Sequence, residues 1–183
     1  MTASFDIPTL TTPRLTLRAP KPGDFPDYAA FYASDRSKFV GGPATAEQSW
    51  RMLAGELGHW PLRGYGRWAV EETASGKLAG IIGLWNPEGW PEPEIGWDLM
   101  NGFEGKGYAT EAALAAREYA YGTLGWTTTI SLVSPSNDGS RHVARRMGAT
   151  YDGMFEHERH GTLEIWRHQS PDDLGDGGIE AYA

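Results

Sequence analysis

The sequence predicts one mixed α/β domain of the α+β kind: a central, mostly antiparallel sheet of about seven strands flanked by about four helices. Three observations lead there. First, 183 residues are enough for one full hydrophobic core and too few for two. Second, short alternating or β-branched runs are interleaved with stretches of helical periodicity. Third, most successive strand runs are joined by turn-rich segments, which favours antiparallel pairing, while one strand–helix–strand passage gives a parallel crossover. No internal repeat or second domain is visible, so residues 1–170 form the expected domain and the acidic, glycine-rich 171–183 a disordered tail.

The first strand is expected over 14–20 (RLTLRAP), which alternates and ends on proline. A helix over 21–34 follows, with Asp24 as candidate cap and Pro26 confined to the first turn. A second helix starts near Thr45: Thr45 and Gln48 have capping-box spacing, Trp50, Leu53 and Leu57 recur at helical intervals, and the helix should stop before Pro61. Three strands come next, 67–73, 77–85 and 93–100, the first two joined by the short turn ASGK and the last two by a proline-rich loop. A helix over 107–121 carries Ala109, Ala112, Ala113, Ala116 and Ala120 on one face, narrow enough to lie close on a sheet. The β-branched run 127–134 is the strand after it. The last helix has Asn137 as cap, Val143, Ala144 and Met147 facing inward, and Gly148 as its stop; strands over 149–156 and 162–168 turn near Gly161.

Composition narrows the function. A net charge of −8 and a pI near 5.1 speak against nucleic-acid binding, which needs a basic face, and suit a cationic substrate. With no cysteine there is no disulfide, thiolate metal site or cysteine nucleophile. No apolar run is long enough to span a membrane and no secretory leader is evident, so a cytoplasmic location is expected.

The stretch NGFEGKGYATEA, 101–112, places glycines directly before a helix start, a pattern suited to an anion because backbone N–H groups can approach it closely. It is not a dinucleotide fingerprint, since Gly105 and Gly107 are followed by Thr110 where a third glycine is needed. Nor is it a Walker loop, because GKGY lacks the required Gly-Lys-Ser/Thr.

Four stretches in order, TPRLTLRAPKPGDFPDYAAF, EIGWDL, GKGYATEA and SNDGSRHVARRMGA, together resemble the GNAT superfamily of acyl-CoA-dependent N-acetyltransferases, and within it the ribosomal-protein N-terminal acetyltransferase branch. The resemblance covers about residues 12–168. It implies a GNAT-type domain whose sheet is splayed at the middle by a bulge in the 94–100 strand. It also implies acetyl-CoA as co-substrate and no metal. The amides of Gly105, Lys106, Gly107, Tyr108, Ala109 and Thr110 would hold the pyrophosphate, a backbone N–H around Leu99 and Met100 the thioester carbonyl, and Asn137 and Ser140 the pantetheine arm. Glu104 stands where the superfamily usually has Gln or Arg, and a carboxylate there should face solvent.

Direct attack by an amine requires loss of one amine proton and protonation of the departing sulfur. Glu94, at the start of the central strand, is the leading candidate base. Asp98, two residues on along the same face, and Glu158, near the last hairpin, are further candidates, and Ser140 is the candidate proton donor to sulfur. Trp85, Trp90 and Trp97, with Phe39, His59 and Trp60 from the segment that covers the acceptor cleft in this family, favour an apolar or amphipathic acceptor. His142 and His160 lack metal-ligand spacing and are expected on the surface. Arg141, Arg145 and Arg146 should lie on a solvated helix face, with one in reach of the CoA 3′-phosphate. The expected partners are a small-molecule or peptide amine, with no nucleic acid and no membrane; a homodimer is admitted. The alternative is a catalytically degenerate acyl-CoA-binding sensor or partner module of the same fold.

Overall fold

The computed structural model describes residues 5–175. Eight strands form one sheet in the order β1-β2-β3-β4-β5-β6-β8-β7. They are β1 (Leu10–Thr11), β2 (Leu15–Arg18), β3 (Arg67–Glu72), β4 (Lys77–Trp85), β5 (Glu94–Leu99), β6 (Ile130–Val133), β7 (Thr150–His157) and β8 (Gly161–Arg167). The helices are α1 (Phe25–Ala33), α2 (Ala46–Arg63), α3 (Tyr108–Gly122), α4 (Asp138–Arg146) and the single turn α5 (Pro171–Leu174). The strand beyond the seven expected is β1, two residues too short to show a period. Every strand pair is antiparallel except β5 with β6, the one crossover, through α3.

That crossover positions the site. β6 pairs along its whole length with β8, from Ile130 opposite Arg167 to Val133 opposite Glu164, but meets β5 at one position only, Glu94 opposite Ile130. Beyond it the strands part into a V. The opening does not come from the expected bulge in β5, whose pairing with β4 is unbroken from Glu94–Trp85 to Leu99–Gly80; register shifts lie elsewhere, between β3 and β4 at Val70/Glu71 and between β7 and β8 at Tyr151/Met154. Side chains finish the ladder where the backbones separate. The Ser131 hydroxyl donates to the Ile95 carbonyl at 2.7 Å, and the Leu132 N–H donates to the Glu94 carboxylate at 2.9 Å. Backbone groups left unpaired there would cost about 1–3 kcal/mol each.

The alanine face of α3 is fully buried and packs on β4 and β5. Asn137 caps α4, its Oδ1 accepting the Ser140 N–H at 3.1 Å, and the Thr45–Gln48 capping box opens α2. Two expectations fail. The α2 helix runs through Pro61 to Arg63 because the ring sits on the exposed side of the last turn, where only one helical hydrogen bond is lost, and Gly64 closes the helix in the left-handed conformation at φ +81°. Asp24 does not cap α1; its carboxylate is taken by the Arg18 guanidinium, with two contacts of 2.8 Å, and by the Lys21 N–H. Of the expected tail, Pro171–Leu174 form the turn α5 capped by Ser170, and residues 176–183 lie outside the described residues.

Candidate active site

Two cavities flank the V. One, of about 660 Å³, lies between the loop before α3, the end of β5 and α4. The other, of about 430 Å³, lies between β5, β6, α2, the β4–β5 loop and the β7–β8 turn. Phe39, Val40, Trp97, Asp98, Asn137 and Ser140 line both, so the two spaces meet where the strands part.

In the larger cavity the loop behaves as the glycine spacing suggests. Gly105 and Gly107 have φ of +74° and +81°, a region closed to most side chains. Among the described residues, no protein acceptor receives the amide N–H of Gly105, Lys106, Gly107, Tyr108, Ala109 or Thr110. The Thr110 hydroxyl is also buried without a partner, on a residue that lines this cavity. A row of unpaired donors at a helix N-terminus is an anion cradle. The side chains of Lys106 and Tyr108 turn to Glu72, at 3.5 and 2.5 Å, and neither residue lines this cavity, which Gly105, Gly107, Ala109 and Thr110 border.

The cradle is held from behind. The Arg14 guanidinium donates to the Lys106 carbonyl at 2.9 Å and to the Glu111 carboxylate at 2.7 Å, and Thr12 also donates to Glu111. In a trans peptide, C=O and N–H point opposite ways, so pulling the Lys106 carbonyl towards Arg14 turns the Gly107 N–H away from it. Gly107 lines the cavity; Lys106 lines another, smaller one. Glu104 is exposed as expected, but it borders the cavity, and Arg36 holds its carboxylate at 2.7 Å. Arg146 and His142 also border it, whereas Arg141 is tied to Glu164 at 2.7 Å and Arg145 lies over the Trp166 ring.

Along β5 the expected pair Leu99 and Met100 separates. The Met100 N–H donates to the Ala79 carbonyl at 2.9 Å and its side chain is buried in the core, so Met100 cannot offer a free donor. Because antiparallel pairing alternates, the N–H groups of Leu99 and Trp97 face away from β4, towards the gap. The Trp97 indole N–H donates to Ser140 Oγ at 3.1 Å, which leaves the hydroxyl proton of Ser140 uncommitted.

In the smaller cavity Glu94 is 7% exposed, and its two oxygens accept from Trp90 Nε1 at 2.8 Å and from Leu132 N–H at 2.9 Å. Burial pushes its carboxyl above the usual range, with the two hydrogen bonds opposing. Asp98 receives the Tyr32 hydroxyl at 3.0 Å and Arg67 Nη1 at 2.9 Å, and Arg67 forks onto both oxygens of Glu56. Glu158 is exposed at the hairpin tip and is not among the lining residues; its neighbours His157 and His160 are. His160 is therefore not a free surface group: it is half-buried, edge-on to Trp90, and burial lowers its pKa. Trp85, Trp90, Trp97 and Phe39 line the cavity, but Trp60 packs on Trp68 in the core. His59, stacked on Trp85, has its two ring nitrogens bonded to the Tyr65 carbonyl and the Asn86 N–H.

Sequence reasoning missed the Glu56–Arg67–Asp98–Tyr32 chain. The available signal was Glu56 sharing a helical face with Ser49, Leu53 and Trp60, a carboxylate on a buried stripe.

A splayed sheet with an amide cradle at one side and a carboxylate-lined cavity at the other is a scaffold with room for an anionic ligand beside a second substrate, and comparison with known proteins gives its class. Residues 14–150 match the acetyltransferase (GNAT) domain family, and the chain belongs to that family. The acetyltransferase from Agrobacterium tumefaciens C58 is 40% identical, with a TM-score of 0.82 over 92% of this chain and 98% of that one. The ribosomal-protein-S5-alanine acetyltransferase from Vibrio fischeri shares the fold at 15% identity, with a TM-score of 0.70 over 91% of this chain and 99% of that one. The uncharacterized N-acetyltransferase YnaD of Bacillus subtilis is 35% identical over 63 residues, 34% of this chain and 37% of that protein, so the match spans little more than a third of that relative. The shared chemistry of the family is acyl transfer. Among the described residues no helix is long and apolar enough to cross a membrane.

Proposed function

We propose that this protein transfers an acetyl group from acetyl-CoA to a primary amine by direct attack in a ternary complex. The observation that carries the reading is the run of unpaired amides from Gly105 to Thr110, with the orphaned Thr110 hydroxyl, beside a parted sheet. Acetyl-CoA would bring a pyrophosphate for those donors and an activated thioester for the gap. Leu99 N–H and Trp97 N–H supply donors for developing negative charge at the thioester oxygen. Asn137 and Ser140 line the passage between the cavities, and Ser140, its oxygen held by Trp97, keeps a proton for the departing sulfur. Glu94, its carboxyl pushed above the usual range by burial, takes the amine proton, directly or through water. The balance is one N–C bond formed, one C–S bond broken, one proton lost from nitrogen and one gained by sulfur.

Calorimetry with acetyl-CoA tests the assignment. Binding is expected in the wild type and should weaken at least tenfold in Gly107→Glu, because a side chain at φ +81° strains the loop and its Cβ meets Arg14 Nη2 at 3.4 Å, disturbing the guanidinium that holds the cradle from behind; an unchanged dissociation constant refutes the site. The alternative of a non-catalytic acyl-CoA sensor predicts the same binding but no CoA release with any amine.

A further inference from the structure

We infer that the acceptor is a primary monoamine on an apolar or aromatic body, with no carboxylate next to the amine. This rests on the acetyl-CoA reading above and adds the chemistry of the second substrate. The inner wall of the 430 Å³ cavity carries Glu56, Glu94 and Asp98, all at most 7% exposed, and one cation, Arg67. Arg67 forks onto both oxygens of Glu56 and also reaches Asp98, and one guanidinium cannot neutralise both. Three carboxyl groups against one guanidinium bias the wall towards negative charge, and no lysine lines it. An incoming ammonium is attracted to this wall next to the passage at Ser140, and a carboxylate on the adjoining carbon is repelled by it.

The remaining walls decide the body. Phe39, Met52, Trp85, Trp90 and Leu163 surround the space, and the volume falls within the range that small ligands fill. A second ammonium carried into those apolar walls would be stripped of water and repelled by Arg159 at the β7–β8 turn, and the carboxylate at that end, Glu88, already lies 3.6 Å from Arg63. Polyamines and aminoglycosides thus fit poorly, and free α-amino acids meet like charge. The same chemistry can arrive as a free amine or as the first residue of a peptide.

The test is CoA release from acetyl-CoA with 2-phenylethylamine, phenylalanine, phenylalanine amide, a hexapeptide beginning with phenylalanine, and spermidine. 2-Phenylethylamine and the amide should exceed phenylalanine and spermidine at least tenfold in kcat/KM; the hexapeptide matches the amide if the source is a peptide and falls away if it is a free amine. Met52→Lys, which adds a positive charge to the wall, should raise the amine KM at least fivefold and leave acetyl-CoA binding unchanged. Equal use of phenylalanine and 2-phenylethylamine, or a lead for spermidine, overturns the inference alone; no turnover of any of the five amines by protein that binds acetyl-CoA overturns it together with the transferase reading and leaves the sensor. Failure to bind acetyl-CoA overturns the reading beneath it.

Discussion

His168 should make this protein lose stability in mild acid, and the size of the loss can be worked from its surroundings. The ring is 2% exposed; Nε2 lies 2.9 Å from Ser131 Oγ, whose own proton goes to the Ile95 carbonyl, so His168 is the donor, and Nδ1 is buried without a partner. Burial, with Arg117 adding repulsion, lowers its pKa to about 3. In the unfolded chain a histidine titrates near 6.5. The native state therefore binds fewer protons than the unfolded state between those values, and stability falls as pH drops below about 6.5, levelling off near 3. At pH 5 the unfolded ring is about 1.5 pH units below its pKa, a loss of about 2 kcal/mol relative to pH 7.5. For a chain of this size that is a fall in Tm of about 4–8 °C. The assay is urea or thermal unfolding followed by tryptophan fluorescence at pH 7.5 and 5 for wild type and His168→Gln, the difference between the two proteins isolating this group from other titrations. The variant should start less stable and lose about 2 kcal/mol less on acidification. A difference that stays constant within about 0.5 kcal/mol between the two pH values would refute the assignment of a buried, uncharged ring.

Glu94→Gln should lower kcat/KM by about 10- to 100-fold, less at high pH where more amine is already deprotonated, and keep acetyl-CoA binding within about twofold; wild-type activity from pH 6 to 9 would move the base to Asp98 or water. The same change should cost about 1–3 kcal/mol in denaturant melts, because an amide offers one acceptor where Trp90 and Leu132 require two. Arg14→Ala should raise the KM for acetyl-CoA about 5- to 20-fold with kcat and the amine KM little changed, because it releases the Lys106 carbonyl; Arg14→Lys should restore only part of this, having no fork for Glu111. Equal effects on both substrates would show a general loss of fold instead.

What was legible in the sequence is what local chemistry decides. The alanine face of α3, the Asn137 cap, the Thr45–Gln48 box and the glycine loop before α3 each depend on residues within a turn or two. The opposite held where a distant partner decides. Asp24 looks like a cap until Arg18 takes both its oxygens, and Met100 looks like a donor until the pairing parity of β5 with β4 turns its N–H to Ala79. The V itself was expected from the resemblance, but its props join residues 36 and 38 positions apart, Ser131 with Ile95 and Leu132 with Glu94, which no spacing rule reaches. His160 is drawn from the surface by Trp90, on the other side of the cavity.

The props at the parting of β5 and β6 also bear on how the protein receives its ligands. Because the Ile95 carbonyl and the Leu132 N–H already have side-chain partners where the strands separate, the slot stands open by itself and no guest has to wedge it apart. Either substrate then meets a finished doorway, and the order of entry is governed by access and not by a preceding rearrangement. The same economy concentrates the load: Glu94 holds one jamb, Ser131 the other, and His168 braces Ser131 from behind. Because the native His168 ring stays uncharged down to about pH 3, mild acid reaches the doorway only through unfolding of the whole protein, and the slot keeps its shape for as long as the protein stays folded.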